Sequence, residues 1–249
     1  ITFKDGEVIE AGEDHQWYGE YTHGKRKACI LTTGELASLP RDGSCFRFRI
    51  PLAGALETPD ADLPVEPYLY GCWLGNGNAV KPEITVKTGD VAAVLRHILP
   101  FHAVGNAWKN AGDSLVFRIP SLRCVLLDSF RDKVIPVAYL RASKEQRLRL
   151  LQGLMDTDGS INKSGKCITF VGANERLVRD VAALLATFGI KYSLIERPAA
   201  CNGKPCGTAW HLQFNVFRDD IEVFCLSRKL SRMRARDSLK MSIARSRRV

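Results

Sequence analysis

The sequence has no apolar run near the roughly 18 residues that a membrane span needs, and no basic stretch followed by an apolar one near its start. Neither a span nor a secretion signal is therefore expected. The two-residue cysteine gap of common zinc sites is also missing. Cys201 and Cys206 lie further apart, with His211 downstream, and no second pair follows. Eight cysteines without a secretory signal read as reduced thiols of a cytoplasmic protein. The first residue is Ile1 rather than Met, so a fragment or a processed product is expected.

What is present suits a globular chain. At 249 residues it can bury one large core or two to three small ones. Its composition, 45% hydrophobic and 25% charged, is ordinary for a folded domain. The net charge of +9 is unevenly placed. Residues 1–57 carry 7 basic and 9 acidic groups, residues 58–143 carry 9 and 8, and residues 144–249 carry 20 and 10. A basic last third attracts polyanions, and each phosphate contact releases counterions.

A nine-residue pattern occurs twice. One copy is Leu69-Tyr70-Gly71-Cys72-Trp73-Leu74-Gly75-Asn76-Gly77, the other Leu151-Gln152-Gly153-Leu154-Met155-Asp156-Thr157-Asp158-Gly159. Each has small residues four apart, Gly71 with Gly75 and Gly153 with Thr157. Such residues share one helix face and let two backbones approach closely. The two helices are then expected to pack together with Asn76 and Asp158 facing each other at the base of the pair. Paired carboxylates at such a place stay ionised only with a cation between them. A hard oxygen-bound cation such as Mg²⁺ fits, and such ions activate water in phosphodiester cleavage. An EF-hand reading of Asp156–Ile161 fails, because it puts Leu154 and Gly165 where carboxylates are required.

The pattern around the nonamers also repeats. Residues 1–56 read as β, with strands at Ala28–Thr32 and Phe46–Ile50, and the acidic, proline-containing Glu57–Pro64 reads as a linker. A helix opens at Pro67 and runs to Asn76. A strand near Glu83–Thr88 follows, then a helix capped by Asp90 to about Leu99, a strand at Leu115–Ile119, and a helix from Ser121 to about Phe130. The second round starts with the capping box of Ser143 and Gln146. It continues with a strand at Lys166–Val171, a helix from Asn174 to Gly189, strands at Ile190–Arg197 and Ala209–Phe217, a helix near Asp219 and a basic helix near Ser227.

With two such nonamers 82 positions apart, the chain resembles the LAGLIDADG, or dodecapeptide, homing endonucleases of the intein-embedded type. Two further blocks are similar to that family: Lys133-Val134-Ile135-Pro136 before the second motif, and Leu226-Ser227-Arg228-Lys229 in the second repeat. The resemblance implies an α+β fold: a pseudo-two-fold pair of αββαββα subdomains forming a DNA-binding saddle, over residues 65–143 and 144–249. A β-rich segment, 1–64, precedes them and resembles part of an intein Hint domain through Ile1–Gly6 and Glu13–Trp17, His15 included. With Ile1 and Val249 in place of the family's terminal nucleophile and His-Asn pair, the chain as given is not expected to splice.

The resemblance also implies chemistry. Asp158 and Asn76, with Gly75 and Thr157, would hold Mg²⁺ or Mn²⁺, and Ca²⁺ would occupy the site without cleavage. Lys133 and Lys229 would stand by the scissile phosphate or the attacking water. The partner would be a specific DNA duplex of roughly 20 base pairs or more, bound by a monomer. Lys87, Arg118, Asn162, Lys163, Lys166, Arg197, Lys204, His211, Gln213 and Arg228 are the candidate DNA contacts, and period-2 reading leaves open which strand face they share. The expected function is metal-dependent cleavage of both strands, impaired by Asn76. Decay, an engineered Asp→Asn change and a nicking enzyme all remain open explanations of that residue. The alternative is a sequence-specific DNA-binding or RNA maturase-like protein without nuclease activity.

Overall fold

The computed structural model describes residues 1–3, 8–21, 27–42, 45–110, 112–124, 133–165, 167–201, 204–216, 221–233 and 246–248. The chain divides into two compact units. One holds residues 1–54 and the C-terminal stretch. The other, residues 55–235, is inserted between those two pieces in chain order.

The first unit is a small β structure. Strands β1 (Gln16–Tyr21), β2 (Lys27–Thr32) and β5 (Phe48–Pro51) join the C-terminal β13 (Ser246–Arg248) in the order β13-β5-β1-β2. The short β3 (Arg41–Asp42) and β4 (Cys45–Phe46) pair separately. Helix α1 (Thr33–Ala37) opens with a capping box of Thr32 and Glu35. Phe3, Trp17, Leu36 and Phe48 form the buried core. Trp17 satisfies its indole N–H on Thr33 Oγ1 at 2.9 Å. Strand β1 lies in the stretch read as β but was not placed as a strand, because Gln16, Tyr18 and Glu20 leave only Trp17 and Gly19 on the buried face.

The second unit repeats one plan. In its first half α2 (Pro67–Asn76) leads to β6 (Glu83–Lys87), α3 (Val91–Ile98), β7 (Ala107–Lys109) and β8 (Ser114–Arg118). In its second half α4 (Val137–Leu140) precedes α5 (Lys144–Thr157), β9 (Gly159–Ile161), β10 (Ile168–Gly172), α6 (Glu175–Ala186), β11 (Tyr192–Cys201), β12 (Lys204–Phe214) and the single turn α7 (Ser227–Leu230). The sheets run β6-β8-β7 and β9-β10-β12-β11, antiparallel at every pairing. A lone bridge from Gly77 to Ile84 stands where β9 pairs with β10. The two halves thus share one strand order, and the mixed, antiparallel α+β class expected from the sequence is the one observed.

Local chemistry explains the helices. Proline at the first position opens α2, and Glu66 accepts from Leu69 N. Ser143 and Gln146 form the expected capping box of α5. The Gln146 side chain also accepts from Ala61 N and donates to Ala61 O, at 2.9 and 2.8 Å. Buried Arg147 donates to the carbonyls of Ala142, Thr187 and Leu56. The stretch read as a linker is therefore tied to the start of α5. Asn174 caps α6, and Gly189 ends its turn at φ +68°. Asp90 does not cap α3 through its side chain, because its carboxylate is taken by Arg228. The β11–β12 ladder continues through a bulge at Ala199/Ala200 as far as the Cys201–Lys204 pair, so the stretch beyond the expected strand ends is itself paired β. The helix expected from Ser121 opens as a 3-10 turn, Pro120–Leu122, and is helical through Arg123 and Cys124; its continuation beyond Cys124 lies outside the described residues. The helix expected from near Asp219 does not form over 221–226, where Cys225 N and Leu226 N donate to the Asp156 carboxylate instead; beyond Met233 only Ser246–Arg248 are described, as a strand.

Candidate functional site

The two nonamers meet backbone to backbone. A methyl group added at Gly71 would lie against Leu150 O and 2.8 Å from Leu154 N; one at Gly153 would lie against Tyr68 O and 2.9 Å from Cys72 N. Only glycine admits this approach. Along the same seam, a methyl group at Gly75 would strike the Thr157 hydroxyl and lie 3.3 Å from the Asp158 carboxyl carbon. The small-residue spacing thus brings the C-terminal end of α2 beside that of α5. Around this seam Tyr68, Leu69, Tyr70, Trp73, Leu150, Leu151, Leu154 and Met155 are buried.

Asp158 is the C-cap of α5, its N–H donating to Leu154 O at 3.0 Å. It is half-buried, and burial raises its carboxyl above the usual carboxylate range, against the pull of Lys133 and Lys229. A helix C-terminus is the negative end of the dipole, so an ionised carboxylate there wants a cation. Asn76, at the matching place on α2, is exposed. Thr157 Oγ1 donates back to Gly153 O and Leu154 O within its own helix.

Each helix end carries a lysine, on different terms. Lys133 donates to Gly75 O at 3.2 Å and stands 5.6 Å from the centre of the Trp73 ring. Its backbone has φ +44°, in the left-handed region that a lysine seldom adopts. Burial lowers its ammonium and Asp158 raises it. The following residues are held by two side chains: Tyr70 donates to Val134 O at 2.9 Å, and Asp180 accepts from Ile135 N at 2.9 Å.

Lys229 is only 6% exposed. It donates to Met155 O and Asp156 O at 2.7 Å and to Gly159 O at 2.6 Å. Burial pushes its ammonium down to about 8, while Asp156 pulls it up. Asp156, which the sequence reading did not single out, anchors this arrangement. Its carboxylate accepts from the Tyr68 hydroxyl at 2.9 Å and from the backbone N–H groups of Cys225 and Leu226. A lone carboxylate inside the apolar run of the second motif was the signal that could have found it.

The candidate DNA contacts are spread over both halves. Ile84, Val86 and Phe117 are buried, so Lys87 and Arg118 lie on the opposite, outer face of their sheet. Trp108, paired with Val116, shares that face and is 42% exposed; the sequence reading passed over it. In the second sheet Ile168, Phe170, Leu212 and Phe214 are buried, so Arg197, His211 and Gln213 share the outer face. That settles the strand parity which sequence alone left open. Asn162 spends its side-chain oxygen on Cys167 N and the Ser164 hydroxyl. Lys163 and Lys204 are exposed. Arg228 forms a two-point ion pair with Asp90, at 2.7 and 2.6 Å. Lys166 lies outside the described residues.

The donors at the paired helix ends are all oxygens: one carboxylate, one amide and main-chain carbonyls. Among the described residues no group of three or more His, Cys, Asp or Glu could hold a metal. Mg²⁺ binds through one or two carboxylates and completes its shell with water and substrate phosphate. The site suits such an ion when phosphate oxygens arrive with the ligand.

Known proteins bear on this geometry. Residues 145–224 match the family described as LAGLIDADG-like domain. A replicative DNA helicase, DnaB, of Mycobacterium intracellulare is 28% identical over an alignment covering 92% of this chain and 40% of the helicase. The chain thus spans well under half the length of that relative. Among solved structures, the homing endonuclease I-DmoI with DNA and Mn is similar at a TM-score of 0.42 and 15% identity, over 61% of this chain and 89% of that one. The same endonuclease with DNA and Ca gives 0.41 and 15%, over 61% and 83%.

Proposed function

We propose that this chain is the endonuclease-bearing part of an intein, and that it binds a long specific duplex as a monomer and cleaves it with a divalent cation. The observation that carries the reading is the pair of helix C-termini held side by side by Gly71 and Gly153, with the desolvated Asp158 carboxylate at their junction. Asp158, the Asn76 amide and the carbonyls of Gly75 and Thr157 would hold the ion. The bound ion would polarise the scissile phosphate and lower the pKa of its water. Lys133 would place positive charge by that phosphate. The outer sheet faces would meet the bases, with Gln213 suited to adenine and Arg197 to guanine. Their lysines and arginines would hold phosphates, which makes binding strongly salt-dependent.

The intein context has two supports. The β unit is discontinuous, with the α+β unit inserted inside it. The helicase match covers a minor part of that relative, and the present sequence holds no G-x-x-x-x-G-K-S/T phosphate loop. An element interrupting a helicase gene accounts for both, and cytoplasmic residence goes with it. The second reading, duplex binding without cutting, draws on one observation: the first motif carries an amide where its twin carries a carboxylate.

The test is a supercoiled plasmid bearing the uninterrupted host-gene junction, with the chain and its Asn76→Asp variant compared in Mg²⁺. The chain is expected to relax the plasmid by nicking, and the variant to linearise it. Equal double-strand cutting by both would overturn the role given to Asn76. Tight binding with no cutting by either would establish the second reading.

A further inference from the structure

We infer that the two block lysines divide their work: Lys133 is the ammonium offered to the DNA phosphate, and Lys229 is a positioning residue that fixes the end of α5 and with it Asp158. The inference rests on the nuclease reading for the reaction, but its structural half stands on hydrogen bonds alone. An ammonium has three protons to donate. Lys229 commits all three, to Met155 O, Asp156 O and Gly159 O, at 2.7, 2.7 and 2.6 Å. Those carbonyls bracket Asp158 on both sides in sequence. The chain leading to Lys229 is itself clamped, since the Asp156 carboxylate accepts from Cys225 N and Leu226 N. For Lys229 to meet a phosphate, charge-assisted bonds to the end of α5 would have to break, and Asp158 would lose its support.

Lys133 differs at each point. It gives one hydrogen bond to a described residue, the 3.2 Å bond to Gly75 O, and its other two donors have no partner among the described residues. Its ammonium sits at Gly75, where α2 abuts Thr157 and Asp158 of α5, and the Lys133 and Asp158 charges act on each other. A phosphate held between a cation at Asp158 and the ammonium of Lys133 would find one donor set already turned toward it. The twin lysines of the sequence are therefore not twins in function: one is a helix cap of the kind cations favour at helix C-termini, the other a charge left to the ligand.

The test uses Lys133→Met and Lys229→Met in the full chain carrying Asn76→Asp, on the junction plasmid, with Mg²⁺ varied. Lys133→Met is expected to lower the maximal rate by about 100-fold and to leave half-saturating Mg²⁺ unchanged. Lys229→Met is expected to lower Tm and raise half-saturating Mg²⁺ about tenfold or more, with most of the maximal rate recovered at saturation. A loss of maximal rate in Lys229→Met equal to that in Lys133→Met, without a shift in Mg²⁺ demand, would overturn the division. If Lys229→Met does not fold, reductive methylation of the unsubstituted protein with formaldehyde and cyanoborohydride decides, read by peptide mass spectrometry. Lys133 should be dimethylated early and Lys229 protected until unfolding; equal labelling of the two would sink the proposal. Absence of any cutting before the lysines are changed would tell against the nuclease reading, and the labelling would still judge the lysines.

Discussion

The ends of α2 and α5 come from the same nonamer, yet they are finished differently. At the end of α5 a carboxylate, Asp158, sits beside a buried lysine with all its protons committed, and a second carboxylate, Asp156, clamps the chain that brings the lysine in. At the end of α2 the matching places hold Asn76 and apolar Leu74, and the lysine gives one longer bond. The chain that follows it is held by Tyr70 and by Asp180 on α6. A repeated sequence pattern thus guarantees the helix crossing, whereas the polar finish of each helix depends on three or four residues that the repeat does not share.

The comparison breaks most severely at the crossing itself, which both motifs need equally. Gly153→Val puts side-chain atoms into Tyr68 O and Cys72 N. It is expected to cost roughly 4 kcal/mol or more in chemical denaturation, as is Gly71→Val, whose side chain would meet Leu150 O. If either variant stays within about 1 kcal/mol of the parent, the seam is looser than described.

The two clamps come next. Asp156→Ala would orphan the Tyr68 hydroxyl and two main-chain N–H groups and remove the carboxylate that pulls on Lys229. A loss of about 3 kcal/mol is expected. Asp180→Ala frees only Ile135 N among the described hydrogen bonds and should cost about 1 kcal/mol. Equal losses would erase the asymmetry between the two ends.

A smaller effect tests the carboxylate. The Asp158 carboxyl is raised in the folded state. Its contribution therefore favours the fold below the unfolded pKa, near 3.9, and is lost as pH rises through the folded value. Without divalent cation, Asp158→Asn should melt higher than the parent at neutral pH and alike at strongly acidic pH. Adding Mg²⁺ should raise the parent's Tm and leave the variant's unmoved. Asn76→Asp should show the same signs in reverse: a lower Tm in chelator and a larger gain with Mg²⁺.

The smallest expected change joins the two halves. Arg228, about half exposed, pairs with the nearly buried Asp90. Solvent screening limits such a pair to about 1 kcal/mol despite its two-point geometry. Asp90 is held below the usual carboxylate range by the Arg228 bond, so this contribution is present above the unfolded pKa and fades as pH falls through the folded one. Asp90→Asn should therefore match the parent in acid and fall slightly behind it at neutral pH, with the gap narrowing in high salt.

Much of the fold was legible because it rests on short-range rules. Proline at the start of α2, the Ser143–Gln146 capping box, Asn174 before α6 and Gly189 after it all act within one helical turn, and each stands where expected. Strand parity was not legible. Lys166–Val171 alternates without declaring its buried side, and only the core that closes over Ile168 and Phe170 decides it. Asp90 was misread for a related reason: a side chain that looks like a cap from its neighbours can be captured by a charge 138 residues away.

By itself the sequence determined the crossing of α2 and α5, since small residues four apart leave a helix face that only another backbone fills. It also determined that one helix end carries a carboxylate and the other an amide. Tertiary structure decided what those ends can do. Whether a lysine is committed or available, and whether an aspartate is ionised or desolvated, depends on which carbonyls and charges distant segments bring within about 3 Å. Electrostatic interactions at such range have no counterpart in local sequence spacing, so two lysines in like blocks became a cap and an open donor.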